Sequence, residues 1–177
     1  MKMLGSRRAK TGGFTLIELM VTLSVATILT VVAVPGMQQV LQRRQLEGAA
    51  SEMYSNLLMA RSQAIEKNRN AFVNFNGSGA TWSYGLDDSA SCDPTVSGDC
   101  TINSTERVYN SSAWKNVSLS QTFSGNGTTF EPRRGMASGS GTIQLTSVVG
   151  EIDLTVSPIG YISACSVGGA LGSYSAC

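Results

Sequence analysis

The chain contains no histidine. Without an imidazole neither a Ser-His-Asp nor a Cys-His arrangement can be built, which removes the commonest routes to an activated nucleophile. Cysteine is scarce as well: Cys92, Cys100, Cys165 and Cys177 are the four present, and no two have a C-x-x-C spacing. A zinc site therefore lacks both its usual nitrogen donors and its usual sulfur pairs. Charge is thin, 14% of residues, with 13 Lys and Arg against 12 Asp and Glu. That balance is not the strongly basic footprint of a nucleic-acid binder. The acids Asp87-Asp88, Asp93 and Asp99 have neither the regular oxygen spacing of a calcium loop nor a setting that shifts a carboxyl toward acid-base work, and they read as solvated loop acids. Composition points away from an enzyme and implies no cofactor and no metal.

What the sequence has is one long apolar run. From Phe14 to Val34 there are 21 residues, 15 of them apolar, and Glu18 alone carries charge. A helix of that length spans roughly 30 Å, the thickness of a bilayer's hydrocarbon core. A carboxylate there costs about 2.5–3.5 kcal/mol, so Glu18 calls for a cationic partner from outside its own helix. An ordinary secretory signal has an apolar core of about 7–15 residues ending in small residues; this run is longer and ends in Pro35-Gly36.

Gly13-Phe14-Thr15-Leu16-Ile17-Glu18, at the head of the run, resembles the processing site of type IV pilins and type II secretion pseudopilins, the type III signal-sequence class. The resemblance implies that prepilin peptidase cuts after Gly13 and that Phe14 becomes the methylated N-terminus. It also implies that Glu18 pairs with the free α-amino group of a neighbouring subunit. Lys2, Arg7, Arg8 and Lys10 lie in the leader, which places the N-terminus in the cytoplasm by the positive-inside rule. The remainder then faces the periplasm, where disulfides persist. Removal of the leader leaves nine Lys and Arg against 12 Asp and Glu, a side-chain charge of −3. Four cysteines allow three pairings; the local bridges Cys92–Cys100 and Cys165–Cys177 are expected, since each closes a Gly/Ser-rich loop with little else to fix it.

The expected organisation is a leader at 1–13, a transmembrane and filament-core helix at 14–36, its amphipathic continuation at 37–69 and a β-rich domain at 70–177. Pro35 and Gly36 predict a kink. Beyond them Leu46, Ala50, Met53, Leu57, Ala60 and Ala64 recur in steps of three and four, one apolar stripe. The period then changes. Residues 71–75 and 81–85 alternate as a hairpin turning at Gly77-Ser78-Gly79, and Asp87 to Asn103 reads as a surface loop. Further strands are expected at 117–120, 128–130, 142–146, 152–156 and 159–163. The fold class is α+β, a long helix on a mainly antiparallel sheet. The sequons at Asn76, Asn103, Asn110, Asn116 and Asn126 reflect composition.

Trp82 with Gly85, Phe130-Glu131-Pro132 before Gly135, and Ser157-Pro158-Ile159-Gly160 ahead of a cysteine resemble the branch that holds FimT, FimU and the H-type pseudopilins. The resemblance implies a structural minor pilin of a type IV pilus or its tip or priming complex. The alternatives are an H-type pseudopilin of type II secretion and a DNA-binding minor pilin for transformation. It also implies several partners: prepilin peptidase, other pilins or pseudopilins, an inner-membrane assembly platform, and lipid before assembly. The location implied is a single pass in the bacterial inner membrane, then the filament. Arg133-Arg134 is the basic pair a phosphate could touch, but two arginines make a weak, salt-sensitive contact. DNA-binding relatives carry an arginine motif after the late-strand glycine; here Tyr161 follows Gly160 and no arginine comes after, which argues against nucleic acid.

Overall fold

The structure, a computed structural model, describes residues 13–177 apart from the side chains of residues 31–35. The leader basic residues lie outside that set, while at the expected kink the helical assignment runs on through Pro35 and Gly36. One helix, α1, spans Leu16–Lys67. Eleven strands follow: β1 Ala71–Ser78, β2 Thr81–Asp87, β3 Thr101–Ile102, β4 Thr105–Glu106, β5 Val108–Asn110, β6 Ser118–Gln121, β7 Gly127–Phe130, β8 Ala137–Ser138, β9 Gly141–Ser147, β10 Gly150–Val156 and β11 Ile162–Val167. The chain divides into two compact units, Met1–Gln38 and Gln39–Cys177.

In the second unit the stripe read from the sequence is the helix face that meets the core. Leu46, Ala50, Met53, Leu57, Ala60 and Ala64 are each at most 1% exposed, and Ala49 joins them. Two antiparallel sheets supply the rest. One has the order β5-β2-β1-β7-β8, the other β11-β10-β9-β6, and β3-β4 form a small separate pair. Alternation explains which side chains point inward. Ala71, Val73 and Phe75 of β1 are buried, as are Ile143 and Leu145 of β9 and Ile152, Leu154 and Val156 of β10. The two sheets are stitched at one corner, where Gly79 donates to the Leu119 carbonyl (2.7 Å) and Leu119 donates back to that of Gly79 (2.9 Å).

Polar contacts fix how the helix sits within this unit. Asn56 Nδ2 donates to Tyr84 Oη (2.8 Å), Trp114 Nε1 to Glu52 Oε2 (2.6 Å) and Arg61 Nε to the Gly135 carbonyl (3.1 Å). Gly48, one turn before Glu52, leaves room for the Trp114 ring, which a Cβ would strike. Aromatic rings fill the sheet side, with Phe75 stacked on Phe123 at 5.6 Å and Tyr84 on Tyr109 at 5.0 Å.

The structure shifts several expected boundaries. The first hairpin turns at Gly79-Ala80, because Ser78 pairs with Thr81 and Gly77 stays in the ladder opposite Trp82. The last strand begins at Ile162 instead of Ile159. Ser157–Tyr161 is a turn in which Ser157 N donates to the Tyr161 carbonyl, Gly160 N to that of Ser157 (both 2.9 Å), and Gly160 has φ +76°. Pro158 has no amide to offer a ladder. The segment Asp87–Asn103 is not all loop, since it ends in β3.

Gly160 is constrained twice, by its positive φ and because a Cβ would run into the Gly135 carbonyl, whereas Gly79 (φ +69°) has open space around it. Gly160→Ala should therefore cost about 3 kcal/mol or more and Gly79→Ala about 1 kcal/mol. Urea unfolding of both variants checks the ranking, and equal losses would refute this account of the Gly135–Gly160 contact.

Candidate functional site

In the first unit Gly13, Phe14 and Thr15 precede the helix without joining it. Thr15 is its N-cap: the hydroxyl accepts the Glu18 amide (3.3 Å) and the carbonyl accepts that of Leu19 (3.1 Å). Glu18 sits in the first turn, where the helix dipole favours an acid. Among the described residues no cationic side chain pairs with its carboxylate. Among the described residues nothing lies within 4 Å of where a Cβ on Gly13 would be.

The side chains that follow form an unpartnered apolar surface. Phe14 is 78% exposed, and Leu16, Ile17, Leu19, Met20, Leu23, Ile28 and Leu29 are all more than half exposed. The hydroxyls in this run are satisfied internally. Thr22, Ser24, Thr27 and Thr30 donate to the carbonyls of Leu19, Val21, Leu23 and Thr27 at 2.8–3.0 Å. Polar groups paired within their own helix are what an apolar surrounding tolerates. Among the described residues no helix is long and apolar enough to cross a membrane; the described side chains of the predicted run stop at Thr30, short of the ~20 residues a span needs.

In the second unit the four cysteines form two bridges, Cys92–Cys100 and Cys165–Cys177. The reading of Asp87 as a solvated acid is corrected: it is 4% exposed. Its Oδ1 accepts Ser89 N (2.7 Å), Ser89 Oγ (2.7 Å) and Ala90 N (2.9 Å), and its Oδ2 accepts Thr101 N (2.9 Å). Burial by itself would raise its pKa, but the bonds from Thr101, Ala90 and Ser89 together outweigh that and hold the carboxyl below the usual range. Asp93 is likewise lowered, chiefly by the Thr95 amide and hydroxyl. Among the described residues no three His, Cys, Asp or Glu side chains gather as metal ligands. Arg133 and Arg134 are exposed on the turn between Glu131 and Gly135, where Gly135 N donates to the Glu131 carbonyl (3.0 Å).

Sequence reasoning missed the Glu52–Trp114 and Asn56–Tyr84 pairs, since side-chain contacts at separations of 62 and 28 residues leave no periodic trace. Burial, ahead of the nearby charges, pushes the Tyr84 phenol far up, so it stays a neutral donor and acceptor inside the core.

The first unit thus presents a capped helix start, an acid in its first turn and an exposed apolar surface behind it. The profile of the prokaryotic N-terminal methylation motif matches residues 8–34. That motif implies prepilin peptidase processing, inner-membrane anchoring and then assembly with other pilins. The chain belongs to the GspH family, whose profile, described as type II transport protein GspH, matches residues 49–160. It is a structural, non-enzymatic protein of the pilin and pseudopilin class.

Solved structures similar to it include the type IV minor pilin FimU of Pseudomonas aeruginosa PAO1 in two crystal forms. One is 18% identical, covers 69% of this chain and 97% of that chain, and has a TM-score of 0.47. The other is 19% identical and covers 68% and 88%, with a TM-score of 0.46. No curated protein matches the chain in sequence.

Removing the Asp87 carboxylate orphans several backbone amides, so Asp87→Ala should lose about 3 kcal/mol. The folded pKa lies below the unfolded value of about 3.9. The contribution is therefore present above about pH 4 and fades as pH falls through the folded pKa. Denaturation of parent and variant from pH 7 to 2.5 should show their difference shrinking only in acid; a difference constant across that range would refute the role.

Proposed function

We propose that the protein is a minor subunit of a type IV pilus or of its tip or priming complex, cleaved between Gly13 and Phe14 and methylated on the Phe14 amine. The observation that carries this reading is Glu18: an acid without a cationic partner among the described residues, in the capped first turn of an exposed apolar helix. In the assembled fibre the apolar side chains of 14–34 exchange lipid for neighbouring helices, and the Glu18 carboxylate meets the α-amine of Phe14 on another subunit. A misplaced subunit leaves that charge unmatched, which makes the registration specific. Residues 1–13 serve as leader, 14–36 as filament core with Pro35-Gly36 as its flexible point, 37–69 as the helix under the sheets, and 70–177 as the displayed domain. The inner-membrane assembly platform extracts the subunit.

A second reading, an H-type pseudopilin in a type II secretion pseudopilus, is favoured by the description attached to the matching GspH profile. Deletion of the gene separates the two: loss of surface pili with normal protein secretion supports the pilus, and the reverse supports the pseudopilus. A DNA-capturing role through Arg133 and Arg134 is the weakest of the three. A gel shift with the detergent-solubilised full chain that shows no retardation at low salt removes it.

Glu18→Ala should leave cleavage after Gly13 and membrane insertion unchanged while lowering the protein in sheared filaments at least about tenfold, a loss of roughly 1.4 kcal/mol or more in assembly. Normal incorporation of the variant would sink the pairing.

A further inference from the structure

The two disulfides differ in their surroundings. Cys92 and Cys100 are both buried, and Cys100 packs so closely on Gly85 that a Cβ there would strike its sulfur. Cys165 is only half-buried and Cys177 is exposed. Exposed disulfides are the exchangeable ones, because a thiolate has to reach the sulfur it attacks.

What the exposed bridge holds is a strand cover. β11 is the outermost strand of its sheet. Ser166 N donates to the Ser175 carbonyl (2.8 Å), Cys177 N donates to the Ser166 carbonyl (3.1 Å), and Ser166 and Ala176 form a parallel bridge. The covering segment folds back through a turn in which Leu171 and Tyr174 exchange backbone hydrogen bonds (3.1 and 3.0 Å). It also touches α1: Gly172, at φ +59°, lies against the Glu47 carboxylate, where a side chain would not fit. Burial, and then Glu47 and Tyr54, push the Tyr174 phenol up. Apart from the covalent bond, the segment rests on the two ladder bonds at Ser166 and on partly buried Leu171 and Tyr174. Ser166 turns its backbone groups away from β10, so by the two-residue period Ala164 and Ile162 do the same. An edge of this kind pairs with other strands when left open.

We propose that Cys165–Cys177 is a thiol–disulfide exchange site for a dithiol reductant, and that opening it releases Leu171–Cys177 from the edge of β11 while Cys92–Cys100 stays closed. A thiolate of the reductant attacks Cys177 Sγ, the S–S bond breaks, and the Cys165 thiolate leaves and takes a proton. The second thiol of the reductant then attacks the mixed disulfide and expels the Cys177 thiolate, which is protonated in turn. The dithiol is oxidised to a disulfide and the protein gains two thiols. This inference is independent of which filament the subunit joins.

The test uses the oxidised full chain in detergent micelles, titrated with dithiothreitol, quenched by alkylation and read by peptide mass spectrometry together with amide hydrogen exchange. Cys165 and Cys177 should be alkylated at about tenfold lower dithiothreitol than Cys92 and Cys100. The Ser166 amide should then exchange about tenfold faster, with the amides of β1 unchanged. Cys177→Ser should show the same rise at Ser166 without reductant. Co-reduction of both bridges, earlier opening of Cys92–Cys100, or a Ser166 amide that stays protected once Cys165–Cys177 is open would each overturn the proposal.

Discussion

The second unit depends on burying one stripe of α1 between Leu46 and Ala64. Four of its seven buried apolar positions are alanine (Ala49, Ala50, Ala60 and Ala64), and Leu46, Met53 and Leu57 are the large side chains among them. The stripe and the inward faces of both sheets form one buried apolar cluster. Truncating one of the large members would cost about 2–5 kcal/mol, a sizeable share of the stability of a domain this size. The rarer polar contacts orient what the stripe holds. Trp114 lies over Gly48 and is pinned to Glu52 one turn on, which fixes the rotation of the helix as well as its depth.

The same helix solves the opposite problem nearer its start. Residues 16–30 are rich in β-branched side chains (Ile17, Val21, Thr22, Val25, Thr27, Ile28 and Thr30), which are mediocre helix formers in water. In an apolar surrounding propensity matters less than leaving no backbone group unpaired, and beyond its first turn a helix pairs its amides internally. The threonine and serine hydroxyls follow the same rule by bonding back to carbonyls three or four residues earlier. Glu18 stands apart because, among the described residues, no cationic side chain pairs with its carboxylate.

Periodicity made the helix stripe and the longer strands legible in the sequence. β1, β2, β9 and β10 each run seven or eight residues, long enough for alternation to show. Strands of two or three residues, such as β3, β4, β5 and β8, are too short to carry a period and form only because neighbouring chain is already in place. The onset of β11 was misplaced for a local reason: Ile159 and Tyr161 read as strand residues, but Pro158 and the positive φ of Gly160 commit them to a turn. The acid in the first turn of α1 was legible since charge is conspicuous in an apolar run. Asp87 was not, because an aspartate next to another aspartate in a Ser/Gly-rich stretch looks the same whether its carboxylate faces water or folds back on its own backbone.

That ambiguity resolves in one direction across the whole segment from Asp87 to Glu106. Asp87 accepts three backbone amides, Asp88 accepts Asn103 N, Asp93 accepts Thr95 N, Asp99 accepts Asp93 N, and Glu106 accepts Gly98 N. A loop with little apolar surface cannot be ordered by burial, so its amides are ordered by carboxylates and by the Cys92–Cys100 bridge. The acids of this one segment are thus structural: their carboxylates hold the backbone amides of the loop that carries them.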